Sequence, residues 1–179
     1  DDDMTALVFK VRPRRAINVM IGPPADPKDD ARVLKLFFAK EGSHICCGGS
    51  TAHMISRYLN KPIIPVEDSG TDKVPAIATI EGMDLVTEGI ITLQQVADLA
   101  EQYVSDNRLS ITINSGNDGV SLLCAYLFEQ ATDINFFFGK AENTANDDLD
   151  IGMDAKAIVI NRLISSLREM GKNVKISRC

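Results

Sequence analysis

Short β-branched and apolar runs alternate along this chain with segments whose apolar residues recur at helical spacing, and several runs end in glycine. The run at 16–21 (AINVMI) stops at Gly22 and is followed by a helical pattern over about 29–41. Strands connected by helices pair in parallel through right-handed crossovers, which place helices on both faces of the sheet. The alternation therefore predicts a three-layer α/β fold with a mainly parallel sheet.

The same reasoning predicts the remaining elements. Thr92 and Gln95 form a capping-box pair, which predicts a helix over about 93–104. Asn117 or Asp118 is expected to cap the next helix. Further strands are expected at 44–47, 62–66, 76–80, 84–86, 134–138 and 174–177, a weak one near Ile111, and further helices around 51–59, 118–127 and 153–170.

Composition narrows the classes of partner. The formal net charge of −6 argues against nucleic acid, because backbone binding needs clustered lysine and arginine. No apolar run approaches the roughly 20 residues that cross a bilayer, and the first residues lack the features of a signal peptide. Four cysteines are too few for a secreted disulfide framework in 179 residues, which favours a cytoplasmic protein.

The first residues have a different character from the rest. The chain opens on three aspartates, and a strand pattern over 5–11 (TALVFKV) follows and is interrupted at Pro13. We expect residues 1–13 to be the last strand of a preceding domain, and residues 16–179 to form the α/β domain. A strand separated from its sheet is expected to lie along this domain or to pair with another chain, so a homodimer stays open.

Three segments together resemble the C-terminal part of bacterial metal-dependent Ser/Thr protein phosphatases of the stage II sporulation protein E type. They are residues 2–5 (DDMT) with the strand after them, 47–52 (CGGSTA) and 81–93 (EGMDLVTEGIITL). The resemblance implies that 1–13 end a phosphatase β-sandwich and that 16–179 are an accessory domain in contact with it.

The resemblance also implies a metal role for Asp2, as one ligand of a Mn or Mg pair in the parent phosphatase. A single aspartate cannot hold two such cations, which need several fixed oxygen ligands. We therefore expect no cofactor and no phosphoprotein hydrolysis in this chain by itself, and a sensor or docking role for its α/β domain.

The best candidate for a ligand site is the glycine-rich turn between a strand and a helix. Gly48 and Gly49 allow a tight turn, and the backbone N–H groups at a helix N-terminus, with the hydroxyls of Ser50 and Thr51, make an anion cradle. In the alternative interpretation, the glycines only permit the turn and one hydroxyl caps the helix. Neither a P-loop nor a GxGxxG spacing is present.

Two further loops are expected beside this turn, because loops at the carboxyl ends of parallel strands meet. Asp84, Thr87 and Glu88 could form one wall, although Glu88 could equally cap the following helix. The other wall would follow the 134–138 strand. Its residues are Gly139, Lys140, Asn143 and Thr144.

Zinc binding is the alternative for the cysteines and histidines. His44, Cys46, Cys47 and His53 do not have paired-ligand spacing, so we interpret the cysteines as core residues. Two other functions remain open. One is an independent enzyme on a phosphorylated or carboxylated metabolite, with Asp84 or Glu88 as acid or base, and the other is a pure interaction or dimerisation module.

Overall fold

A computed structural model describes residues 7, 11–71, 74–105, 116–139 and 152–179, with only the backbone for 152–154. Its helices are α1 (Asp30–Phe38), α2 (Gly49–Leu59), α3 (Ile90–Ser105), α4 (Gly119–Cys124) and α5 (Gly152–Glu169). Its strands are β1 (Ala16–Ile21), β2 (Ser43–Cys47), β3 (Ile64–Pro65), β4 (Ala78–Thr79), β5 (Leu85–Thr87), β6 (Asp133–Phe138) and β7 (Asn173–Arg178).

These strands form one mixed sheet in the order β3-β4-β5-β2-β1-β6-β7. Strands β5, β2, β1, β6 and β7 are parallel to one another, whereas β4 pairs antiparallel with both β3 and β5 at one edge. The predicted α/β fold with a mainly parallel sheet is confirmed. Strands β2 to β5 lie on one side of β1, and the later strands β6 and β7 lie on its other side. The boundary between β1 and β6 is therefore the topological switch point.

Side chains of the central strands alternate between two cores, one on each face of the sheet. In β1, Val19 packs with α3, α4 and α5, whereas Met20 packs with α1 and α2. In β2, Ile45 and Cys46 divide in the same way. Because a strand points successive residues to opposite faces, this division places helical layers on both sides, as predicted.

Several predicted elements have different ends. Strands β3 and β4 have two residues each rather than five, and the proline in β3 cannot donate to a ladder. Helix α3 starts three residues before the predicted Leu93, and Thr92 is fully buried inside its first turn, so Thr92 is not its cap. Asp118 caps α4 as expected, and a π-helical turn over Ala125–Gln130 extends that helix.

Other predictions lie outside the described residues. These are the weak strand near Ile111 and most of the strand at 5–11. Of the latter, only Leu7 and Val11 are described, and both are exposed. Asp2, the metal ligand that the resemblance implies, is also outside them.

Candidate functional site

The loops that follow β1, β2, β5 and β6 meet at the carboxyl edge of the sheet. The Cα of Gly48 lies 3.4 Å from the position that a Cβ on Gly89 would take. The backbone N–H of Gly22 donates to Oγ1 of Thr51 at 2.9 Å, and the N–H of Gly139 donates to the carbonyl of Ile21 at 2.9 Å. The glycine-bearing corners therefore adjoin one another, as the parallel topology predicts.

The N-terminus of α2 is an open part of the described edge. Gly48 has a φ of 121°, a conformation that favours glycine, and no described side chain caps the helix. Ala52 makes the first helical hydrogen bond, to the carbonyl of Gly48 at 2.9 Å, so the N–H groups of Gly49, Ser50 and Thr51 precede the ladder. A Cβ added to Gly49 would meet no atom within 4 Å.

Ser50 and Thr51 have different roles in this turn. Ser50 is exposed and leaves its hydroxyl at the surface of the edge. Thr51 is fully buried, and its hydroxyl accepts from the loop after β1, so it joins α2 to that loop rather than facing a ligand. Of the two hydroxyls predicted to bind an anion, only that of Ser50 is exposed, because that of Thr51 makes a buried structural hydrogen bond.

Glu88 caps the next helix. Its Oε2 accepts from the backbone N–H of Ile91 at 3.1 Å and of Thr92 at 3.4 Å, which satisfies the first turn of α3. Thr87 is buried, and its hydroxyl donates to the carbonyl of Glu88 at 2.8 Å. Of the two possible roles of Glu88, this geometry is that of the helix cap.

Asp84 lies at the opposite, amino edge of the sheet. It precedes β5, and its Oδ2 accepts from the backbone N–H of His44 at 2.7 Å, while its own N–H donates to the carbonyl of His44 at 2.9 Å. The length of β5 separates it from Thr87, because a strand carries successive residues from one edge of the sheet to the other. Asp84 therefore does not share an edge with the glycine-rich turn.

The loop after β6 contributes its first residue to the described edge. Gly139 is buried, and a Cβ there would overlap the carbonyl oxygens of Gly22 and Pro23. Backbone thus fills the switch point between β1 and β6. Lys140, Asn143 and Thr144 lie outside the described residues.

Two residues at this edge were not predicted as part of it: Gly22 and Asp118. Gly22 directly follows β1, and that position after a buried strand was the available signal. Asp118 joins the edge because Gly119 packs against the side chain of Thr87, with a Cβ position 3.3 Å from Cγ2. Such a contact between distant segments has no local sequence signal.

Asp118 is an ionised cap. Its Oδ1 accepts from the N–H of Val120 at 2.9 Å and of Ser121 at 3.0 Å, and its Oδ2 accepts from the Ser121 hydroxyl at 2.7 Å. Partial burial acts to raise the pKa of Asp118, but the hydrogen bonds from Ser121 and Val120 outweigh it and hold that pKa below its usual value.

The cysteines near the edge are inert. Burial raises the pKa of the Cys47 thiol to about 12, even though a hydrogen bond with Thr87 opposes the shift. Burial also raises the pKa of Cys46, well above the usual value. A neutral buried thiol is neither a nucleophile nor a good metal ligand, which agrees with the interpretation of both as core residues. Across the described ranges, no cluster of three histidine, cysteine or acidic residues could hold a metal.

The remaining observations concern the chain as a whole. No described helix is long and apolar enough to cross a membrane. Comparisons with protein-family models, curated proteins and solved structures give no match.

Proposed function

We propose that residues 16–179 form the regulatory domain of a sporulation-E-type Ser/Thr protein phosphatase, and that they bind a small anionic ligand at the N-terminus of α2. The phosphatase parent rests on the resemblance of residues 2–5, 47–52 and 81–93. The ligand class rests on the geometry of the glycine-rich turn.

The observation that carries the proposal is a contrast between helix starts. Side-chain carboxylates cap three other helix starts. Asp26 caps the 3-10 turn that leads into α1, Glu88 caps α3, and Asp118 caps α4. The N-cap of α1, Asp29, makes no side-chain cap hydrogen bond, but the 3-10 turn before α1 accepts the Asp30 N–H at the carbonyl of Pro27. Helix α2 has a glycine as its N-cap, makes no side-chain cap hydrogen bond there, and follows directly on a strand and Gly48. The N–H groups of its first turn, which no described side chain is seen to accept, and the positive end of the helix dipole favour an acceptor such as a phosphate or carboxylate.

An enzyme of its own is the weaker candidate. The carboxylates of Glu88 and Asp118 each accept backbone N–H groups, Asp84 lies at the other edge, and the Cys47 thiol stays neutral. General acid–base chemistry needs a group within hydrogen-bond reach of the substrate with a pKa near the working pH. Within the described part of the edge, we find no such group.

A regulatory role also needs a connection to the preceding domain. Arg15 exchanges hydrogen bonds with Thr132: its N–H donates to Oγ1 at 2.9 Å, and its carbonyl accepts from the Thr132 N–H at 2.9 Å. Arg14 Nε lies 3.1 Å from Oδ2 of Asp133. We call Arg14 and Arg15, with these bonds, the tether. Strand β1 runs from the tether to Gly22, whose N–H is hydrogen-bonded to Thr51 at the start of α2. One strand thus joins the proposed ligand site to the tether.

Gly49→Ala is expected to weaken anion binding with little effect on stability. The added methyl group enters open space, where it obstructs the N–H groups that an anion would use, and hydrogen bonds to charged groups contribute about 1.5 to 3 kcal/mol. We therefore expect at least a roughly tenfold higher Kd for phosphate, pyrophosphate or citrate by calorimetry. The free energy of unfolding should stay within about 1 kcal/mol of the wild type and should not fall, because alanine favours the helix over glycine by up to about that amount.

The matched control is Gly171→Ala, which adds a methyl group to open space at the opposite edge of the sheet. Its φ of 81° is unfavourable for alanine, so a loss of about 1 kcal/mol in stability is expected, with unchanged anion affinity. If the wild-type chain bound none of the three anions at millimolar concentration, the ligand proposal would be wrong. Conversion of a bound ligand to a product would instead favour the enzyme.

Arg14→Ala in the longer phosphatase is expected to reduce the effect of the ligand on phosphate release while the ligand affinity stays unchanged. Arg14 is 73% exposed, so the loss of its ion pair should change stability by less than about 1 kcal/mol. Lys61→Ala is the control, since it removes another exposed ion pair, with Glu81 at 2.6 Å. An equal response to the ligand in both variants would contradict a role for the tether in coupling.

A further inference from the structure

The tether before β1 is held to the α/β domain by the main chain as well as by a side chain. The carbonyl of Arg15 accepts from the N–H groups of Thr132 at 2.9 Å and Asp133 at 3.2 Å, and the Arg15 N–H donates to Oγ1 of Thr132 at 2.9 Å. Both carboxylate oxygens of Asp133 accept from the Arg14 guanidinium, at 3.1 and 3.4 Å. Asn173 of β7 donates to the same carboxylate at 2.8 Å. The tether is therefore fixed to the amino ends of β6 and β7.

The two residues before Arg14 continue this attachment. Nη1 of Arg12 donates to the carbonyl of Glu129 at 3.3 Å, near the end of the π-helical turn Ala125–Gln130. Proline has a fixed φ, and the residue before a proline is restricted to extended conformations. Pro13 therefore makes the stretch between Arg12 and Arg14 stiff, and both of its ends are bonded to the α/β domain.

The exposure of the chain changes just before Arg12. Val11 is 95% exposed and Leu7 is 76% exposed, and both side chains are apolar. In the strand that the sequence predicts at 5–11, these two residues lie on the same face, because they are four residues apart. An apolar strand face is buried against another element in a folded protein. The α/β domain leaves Leu7 and Val11 exposed, so we expect another domain to cover them.

We propose that the domain before residue 12 lies directly against the amino edge of this sheet, beside the π-helical turn. This inference rests on the proposed function, which supplies the preceding domain. We call the peptide bond between Val11 and Arg12 the joint, and it separates two Cα atoms by about 3.8 Å. A domain of 100 residues has a radius of gyration of about 13 Å. A body of that size with so short a joint has to touch the edge to which it is joined.

The ligand site that we propose at the start of α2 lies at the other edge of the sheet. Strand β1 starts directly after Arg15 and ends next to Gly22, whose N–H is bonded to Thr51. A strand of six residues spans about 20 Å. The preceding domain and the anion therefore contact opposite edges. An effect of the anion on the phosphatase then has to pass through β1 and the elements packed on it, rather than through direct contact.

Labelling of carboxylates with a carbodiimide and glycine ethyl ester tests the contact surface. Glu129, next to Arg12, and Glu67 are both exposed in this chain. Strand β3 runs parallel to β5, because both pair antiparallel with β4, so Glu67, which follows β3, lies at the carboxyl edge. In the longer phosphatase, Glu129 should be labelled several-fold more slowly than in the 179-residue chain, and Glu67, the matched control, at an unchanged rate.

Equal labelling of Glu129 in the two proteins, or slower labelling of Glu67 instead, would overturn the proposed contact. Neither rate depends on a bound anion, so this failure is distinguishable from a failure of the ligand proposal, which calorimetry measures. It is also distinguishable from a longer protein that releases no phosphate, which would contradict the proposed function.

Limited trypsin digestion of the 179-residue chain tests the position of the joint. Proteases cut where the backbone is exposed and free of hydrogen bonds. The N–H of the Arg14–Arg15 peptide donates to Thr132, so cleavage after Arg14 should be much slower than cleavage after Lys10, next to the exposed Val11. Thr132→Val removes that acceptor and should speed cleavage after Arg14 alone, whereas Thr132→Ser, the control, should behave like the wild type. Equal cleavage of the wild type after Lys10 and Arg14 would overturn the position of the joint.

Discussion

Gly139→Ala is expected to destabilise the fold severely, by at least about 3 kcal/mol or to the point of unfolding. A methyl group at Gly139 would overlap the carbonyl oxygens of Gly22 and Pro23. These are backbone atoms next to the central strand, so they cannot rotate away as a side chain would. Chemical denaturation followed by circular dichroism measures the effect.

Gly49→Ala is the control for this substitution, because it adds the same methyl group at the same edge of the sheet into open space. Its free energy of unfolding should lie within about 1 kcal/mol of the wild type. If Gly139→Ala were equally mild, the close packing of the loops after β1 and β6 would be wrong. The ligand site would then have to be reconsidered, because an open switch point is itself where such sheets bind ligands.

Asn18→Asp is expected to have the second largest effect, a loss of about 3 to 5 kcal/mol at neutral pH. Asn18 is fully buried in β1, and its amide Nδ2 donates to the carbonyls of Glu41 at 3.0 Å and of Ser43 at 3.3 Å. Its Oδ1 accepts from Nδ2 of Asn135 at 2.8 Å. A carboxylate would keep the last bond and place a buried negative charge against two carbonyl oxygens.

The loss should depend on pH with a definite sign. Burial beside two carbonyl oxygens, with Asn135 as its one donor in the present contacts, raises the pKa of the new carboxyl in the folded state above the unfolded value of about 3.9. The loss of stability from burying the charge is therefore absent below the unfolded-state pKa. It appears as the pH rises through the unfolded-state pKa, and it is complete above the folded-state pKa. Urea titrations at pH 3.5 and pH 7, each compared with the wild type, measure it. Asn18→Leu is the control, since it loses all three hydrogen bonds but carries no titratable group, so it should show no added dependence on pH.

Local sequence predicted the elements of the fold and much of the site. Helical spacing and short apolar runs located most helices and strands to within a few residues, because burial imposes those periods on the chain. The rule that loops after parallel strands meet at one edge correctly brought the glycine-rich turn, Thr87 and Glu88 together. The two interpretations of Glu88 could not be separated, because both place a carboxylate at the start of α3.

Other features depended on contacts between distant segments. The antiparallel pairing of β3 and β4 leaves no periodic signal in strands of two residues. The position of Asp84 at the amino edge follows from the register of β5 on β2, which aligns Thr87 with Cys47. The packing of Gly119 against Thr87, which adds Asp118 to the edge, follows from where α4 crosses the sheet.

The sequence by itself determined the alternation of strands and helices, the glycines at the ends of β1, β2 and β5, and the acidic balance. Each is a property of neighbouring residues, and neighbouring residues are coupled by backbone geometry and local burial. Only the tertiary structure decided that Glu88 and Asp118 are occupied as helix caps, that no described side chain caps α2, and that β7 is the last described strand of the sheet. Those outcomes depend on strand order and register, which long-range packing selects and no short stretch of sequence encodes.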